Sequence, residues 1–164
     1  MAQNELESRL AVTSSMVTRI GVVEDDTLLR TSLAQSLAQS GQEVVFSAGA
    51  AKEAIQSLSE TDIDVLVTDV HLGTELSGID VARVAEEHNP DIGVVYLTSY
   101  EDPRLALGGA PVQLVKNSVY LVKQSVHTGS ELAEAIATVV SKKGSGLPEP
   151  VSPLSQLSNR QMQT

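Results

Sequence analysis

The chain is predicted to fold as α/β, a doubly wound parallel sheet of five strands with helices on both faces. Short runs rich in β-branched residues alternate with stretches of helical period, and the alternation repeats five times along 164 residues. Most of these runs show no polar alternation, as expected of parallel strands buried on both faces. The length, with 41% hydrophobic and 20% charged residues, fits one globular domain with some extra chain.

Strands are expected at Arg19 to Glu24, Glu43 to Ser47, Asp64 to Asp69, Gly93 to Thr98 and Val119 to Val122. Leu29, Leu33 and Leu37 recur at every fourth residue, and Ala51, Ala54, Ile55 and Leu58 follow the i, i+3, i+4, i+7 pattern, which gives two amphipathic helices. A third starts near Ser77, where Ser77 and Asp80 have capping-box spacing, and Asn89-Pro90 stops it. The last helix is read from Thr128 and Glu131 as a capping box, from the stripe Leu132, Ala135, Ile136, Val139 and Val140, and from Lys142 and Lys143 at its negative end. Between the fourth and fifth strands Pro103, Gly108, Gly109 and Pro111 leave room for only a short or irregular helix.

The domain is expected over residues 19–143. Residues 1–18 read as a flexible leader with only Leu6 and Leu10 at helical spacing, and residues 144–164 as a linker with Gly-Ser-Gly and Pro148, Pro150 and Pro153. With 21 acids against 11 bases the net charge is −10, which disfavours binding of nucleic acid or an anionic membrane and favours cations as partners. There is no cysteine, so disulfides, thiol nucleophiles and Cys-ligated metals are excluded. No apolar run approaches the ~20 residues of a membrane span. Glu5, Glu7 and Arg9 interrupt the stretch where a signal peptide would be apolar, so a cytoplasmic location is expected.

Ligands of an open parallel sheet bind at the carboxyl ends of its strands. Those ends carry Glu24, Asp25 and Asp26 on the first strand, Asp69 with Val70 and His71 on the third, Thr98 and Ser99 on the fourth, and Lys123 on the fifth. Adjacent carboxylates repel unless a cation joins them, and an all-oxygen set suits a hard ion such as magnesium. A carboxylate beside such an ion can attack a phosphoryl group whose oxygens the ion and Lys123 neutralise, and Asp69 is the candidate nucleophile. Thr98 could donate its hydroxyl to the attached group and draw its loop inward. Each signal alone has a bland counterpart. Glu24 or Asp26 could serve a helix N-terminus, Asp69 an Asx turn, and Lys123 a solvated surface; the conjunction at four strand ends of one sheet is what points to chemistry.

At these residues the chain resembles the receiver domain of bacterial two-component response regulators. The match covers about Arg19 to Lys142 and rests on Ile20-Gly21-Val22-Val23-Glu24-Asp25-Asp26, Asp64-Val65-Leu66-Val67-Thr68-Asp69, Leu97-Thr98-Ser99 and Val119-Tyr120-Leu121-Val122-Lys123. The resemblance implies a flavodoxin-like sheet of order 2-1-3-4-5 and phosphoryl acceptance on Asp69 from a sensor histidine kinase. It implies magnesium held by Asp25, by Glu24 largely through water, by Asp69 and by the backbone carbonyl of His71. Lys123 would contact the phosphoryl oxygens, and Thr98 and Tyr120 would form a coupled switch pair; strand periodicity alone reads Tyr120 as half-buried. In the family, side chains at the positions of His71 and Tyr100 tune dephosphorylation. Both are bulky here, so a long-lived phosphoryl group is expected.

Three departures from the family pattern bear on these expectations. Gln124 stands where a proline with a cis peptide usually follows the lysine, which leaves the aim of Lys123 open, although a functional site is expected regardless. The Asp69-to-Gly78 loop is one residue longer than the commonest version. The broken segment between the fourth and fifth strands puts one common mode of activation-dependent dimerisation in question, and a homodimer stays open. The stretch Pro153-Leu154-Ser155-Gln156-Leu157-Ser158-Asn159-Arg160-Gln161-Met162 is similar to the start of a LuxR-type helix-turn-helix domain, the alternative being a disordered tail. On the first reading DNA is reached only through an effector domain beyond this chain, in transcription regulation.

Such a receiver catalyses only its own phosphoryl transfer and dephosphorylation. A phosphatase of the haloacid dehalogenase type would need an Asp where His71 stands. A pseudo-receiver acting as a phosphorylation-independent interaction module would be expected to lose an acid, the Asp or the Lys, and all are present. No strand is followed by G-x-G-x-x-G or G-x-x-x-x-G-K-[ST], which disfavours nucleotide binding.

Overall fold

In the computed structural model of the chain, which describes residues 17–73, 75–99, 114–125 and 129–142, five strands form one parallel sheet of order β2-β1-β3-β4-β5. They are β1 (Arg19–Val23), β2 (Glu43–Ala48), β3 (Val65–Asp69), β4 (Gly93–Thr98) and β5 (Ser118–Val122). Among the described residues the α-helices are α1 (Thr27–Gln39), α2 (Ala51–Glu60), α3 (Gly78–His88) and α4 (Gly129–Lys142). The fold class and strand order are those expected, and every strand boundary falls within a residue of its sequence reading. The leader up to Met16, Tyr100, the Pro103 to Pro111 segment, Thr128 and the tail from Lys143 lie outside the described residues.

The central strands are apolar because helices cover them on both sides: every residue of β3 and β4 is buried. On one face Leu33 and Leu37 of α1 and Leu132, Ile136 and Val139 of α4 pack on Ile20, Val22, Val65, Val67, Val95 and Val119. On the other, Ala54 and Leu58 of α2 and Val81, Ala82 and Ala85 of α3 pack on Val23, Leu66, Val94, Tyr96 and Tyr120. Burying each large aliphatic side chain contributes roughly 1.5–3 kcal/mol, so these two layers outweigh the weak intrinsic amphipathicity of a helix such as α1.

Local chemistry fixes the helix starts at the sheet's carboxyl rim. Asp26 caps α1, its Oδ1 accepting from the Leu29 amide at 3.0 Å. At α3 the expected box forms in full: Ser77 Oγ accepts from the amides of Ile79 and Asp80, and Asp80 Oδ2 accepts from the Ser77 amide at 2.8 Å. These caps set where the loops after β1 and β3 turn, and those loops carry the acids. Among the described residues no helix is long and apolar enough to cross a membrane.

Candidate functional site

The rim brings together residues far apart in sequence. Glu24 follows β1, Asp69 ends β3, and Lys123 follows β5; because β1 and β3 are hydrogen-bonded neighbours, the two acids leave the sheet side by side. Lys123 Nζ lies 2.6 Å from Glu24 Oε1 and 2.8 Å from Asp69 Oδ2. Glu24 is fully buried and Asp69 nearly so, at 0% and 6% exposure, while Asp25 is exposed. Carboxylate oxygens of Glu24, Asp25 and Asp69 all lie within 4.8 Å of one another. Asp26, read in sequence with the same acid cluster, turns away to cap α1, the bland alternative for it.

Every oxygen of the two buried acids has a partner. Glu24 Oε2 accepts from the Asp26 amide at 3.3 Å, and Asp69 Oδ1 accepts from the His71 amide at 3.1 Å. Burial pushes the Glu24 carboxyl up to about 7 against the opposing pull of the Lys123 ammonium. Burial alone would lower Lys123, yet its hydrogen bonds to Asp69 and Glu24 carry it above the ordinary lysine range, so the ammonium is held charged.

The donor set fits a hard divalent cation. It is all oxygen, the carboxylates of Glu24, Asp25 and Asp69. The pocket already recruits one cation, Lys123, which is the physical sign that its acids need one.

The main chain under Asp69 is fixed by two residues that sequence reading did not single out. Thr68 Oγ1 donates to the Asp69 carbonyl at 3.0 Å. Gly78, the first residue of α3, presses on the same carbonyl so closely that a Cβ there would stand 1.8 Å from it. A single glycine at a helix start carries no sequence signal beyond capping, so the contact is visible only in three dimensions.

Thr98 is buried at the end of β4 and Tyr120 is buried in β5. Tyr120 is paired in register with Tyr96, two residues before Thr98, so Thr98 and Tyr120 lie on one face of adjacent strands, one pleat apart. Tyr120 is thus buried, not half-buried as its strand pattern suggested. The aim of Lys123, left open by Gln124, is settled by the distances: the chain turns into a short 3₁₀ helix over Lys123–Ser125 and the ammonium reaches both acids.

Sheet order and the acids and ammonium gathered on one rim place the chain among the flavodoxin-like folds. It belongs to the response regulator receiver domain family, which matches residues 20–138. The chain is 35% identical over 83 residues to the response regulator receiver protein CpdR of Brucella abortus (strain 2308), covering 50% of this chain and 67% of CpdR. It is 34% identical over 58 residues to the transcriptional regulatory protein NatR of Bacillus subtilis (strain 168), covering 35% of this chain and only 24% of NatR. A response regulator receiver protein from Sinorhizobium medicae WSM419 superposes with a TM-score of 0.65 at 26% identity, covering 78% of this chain and 98% of that one. The isolated receiver domain of RcsB from Salmonella enterica serovar Typhimurium, solved with the phosphomimetic BeF3−, shares the fold at 19% identity, TM-score 0.64, covering 86% and 98%.

Proposed function

We propose that the chain is a phosphorylation switch, in which Asp69 accepts a phosphoryl group from the phosphohistidine of a sensor kinase. A bond forms from an Asp69 carboxylate oxygen to phosphorus as the phosphorus–imidazole bond breaks. The observation that carries this reading is the Asp69 carboxylate held between the Lys123 ammonium at 2.8 Å and two further carboxylates. Asp25, Asp69, the His71 carbonyl and, through water, Glu24 would hold magnesium, which when bound offsets charge on the phosphoryl oxygens. Lys123 moves from neutralising the two acids to contacting those oxygens. Thr98 donates its hydroxyl to the group, and the buried Tyr120 ring follows into the space vacated, changing the partner-facing surface.

The chain performs this transfer on itself and turns over no external metabolite. Its expected setting is the cytoplasm, and its output passes to a partner or to DNA through an effector outside this chain. NatR is a transcriptional regulator by name and RcsB has been solved with DNA, which supports a transcriptional output.

Intact mass after incubation with magnesium and acetyl phosphate tests the reading. The wild type gains one phosphoryl group only with magnesium, and Asp69→Asn gains none. No gain by the wild type would favour the phosphorylation-independent interaction module instead.

A further inference from the structure

Arg30 is the one charged residue of α1, and its side chain leaves the helix to reach the base of the acid pocket. Its Nη1 donates to the main-chain carbonyl of Glu24 at 2.7 Å, the short distance of a charge-assisted bond. The amide of the same residue donates to the Ala48 carbonyl at 3.0 Å. Both main-chain groups of Glu24 are therefore held, one by the end of β2 and one by the guanidinium. The space for that guanidinium is made by Gly49, where a Cβ would stand 2.8 Å from Nη1.

The bonded carbonyl belongs to the peptide that links Glu24 to Asp25. Fixing that peptide fixes two directions at once: the one in which the buried Glu24 carboxylate leaves the main chain toward Lys123, and the one in which the exposed Asp25 carboxylate leaves toward Asp69. We propose that Arg30 is a positioning residue for the cation pocket, holding the Glu24–Asp25 peptide so that the carboxylates of Glu24, Asp25 and Asp69 converge. This rests on the reading of the pocket as a magnesium site. Outer-sphere groups that orient ligands typically alter metal affinity 10–100-fold.

Charge and positioning make opposite predictions. A guanidinium near the pocket repels a cation, so if only its charge mattered, Arg30→Gln would tighten magnesium binding. If it positions ligands, the same change weakens binding despite removing the repulsion. Gly49→Ala supplies a second test, since it deletes no group but pushes the flexible end of Arg30 off the carbonyl.

The experiment is the magnesium dissociation constant of the full chain, fitted from the logarithmic rise of its melting temperature with magnesium chloride alone. The expected result is a rise on the order of tenfold for Arg30→Gln, a smaller rise for Gly49→Ala, and partial recovery with Arg30→Lys. Arg19→Gln is the control: Arg19 Nε also donates to a main-chain carbonyl, that of Asp62 at 3.1 Å, but at the opposite end of the sheet. It is expected to lower the melting temperature without magnesium while leaving the dissociation constant in place. Unchanged or tighter binding in Arg30→Gln, with the wild type binding normally, overturns the inference alone. A wild type that gains nothing from magnesium overturns the pocket reading and this inference together.

Discussion

Lys123 and Asp69, 54 residues apart in sequence, meet at 2.8 Å, and the same ammonium is 2.6 Å from Glu24. Lysine thus occupies the place in the charge balance that a divalent cation would take. The first prediction follows from that competition. In Lys123→Met the two buried acids face each other without a cation, and breaking such a contact should cost roughly 1–3 kcal/mol, limited because Glu24 can take up a proton. Magnesium should then raise the melting temperature of Lys123→Met by more than it raises that of the wild type. Phosphoryl transfer from acetyl phosphate should nevertheless fall roughly 100-fold, since the methionine cannot stabilise charge on the transferring oxygens. Equal magnesium shifts in the two proteins would show that lysine and metal do not share the site.

Gly78 should be among the least replaceable residues of the rim. A Cβ there meets main-chain atoms of Asp69, the carbonyl oxygen at 1.8 Å and its carbon at 2.8 Å, and a main chain cannot swing aside as a side chain can. Gly78→Ala must shift α3 or β3, at a cost of about 3 kcal/mol. Gly41 gives the contrast: its φ is +87° but nothing lies within 4 Å of a Cβ, so Gly41→Ala should cost only about 1–2 kcal/mol of backbone strain. Urea midpoints of the two variants check the order, and a Gly41→Ala that is the more damaging would refute it.

Much of this was legible in the sequence, for reasons that particular residues make plain. Buried parallel strands need continuous apolar runs, so Val65-Leu66-Val67 and Val94-Val95 announce themselves. The capping box at Ser77 and Asp80 is a local arrangement within four residues and appears as read. Asp69, Glu24 and Lys123 were found because strand ends of an open sheet share one rim. What escaped were contacts without a local pattern: Gly78 on the Asp69 carbonyl, Thr68 beneath it, and Arg30 on the Glu24 carbonyl. Each depends on the path the main chain takes at the rim and not on a helix or strand period, and no spacing rule encodes that. The split of the acid cluster, with Asp26 capping α1 while Asp25 stays with Glu24 and Asp69, needed the path of the loop.

The phosphoryl group, once formed, should be slow to hydrolyse. His71 is exposed, and its amide is tied to Asp69 Oδ1 at 3.1 Å, so the residue stands next to the carboxylate. A bulky ring there obstructs the in-line approach of water to phosphorus. Loss of the added mass after removal of acetyl phosphate should therefore be faster in His71→Gly than in the wild type. A wild-type half-life of seconds would end the argument.

The buried Tyr96 hydroxyl makes stability depend on alkaline pH. Its hydroxyl accepts from the Val115 amide at 3.2 Å, and burial pushes its pKa up to about 12 from an ordinary value of 10.0. A phenol harder to ionise when folded keeps its proton in the native state while the unfolded chain loses it, so stability falls as pH rises from about 10 towards 12. The loss is roughly 1–1.5 kcal/mol at pH 11. Tyr96→Phe has no such proton to lose, but at neutral pH it leaves the buried Val115 amide without its acceptor, a cost of about 1–2 kcal/mol. The wild type should therefore be the more stable protein at pH 8 by urea denaturation, and that advantage should shrink towards zero by pH 11. Every other group is common to the two proteins and cancels in the difference. A gap between the two proteins that stays constant from pH 8 to pH 11 would mean that the Tyr96 hydroxyl ionises as readily in the folded core as in water.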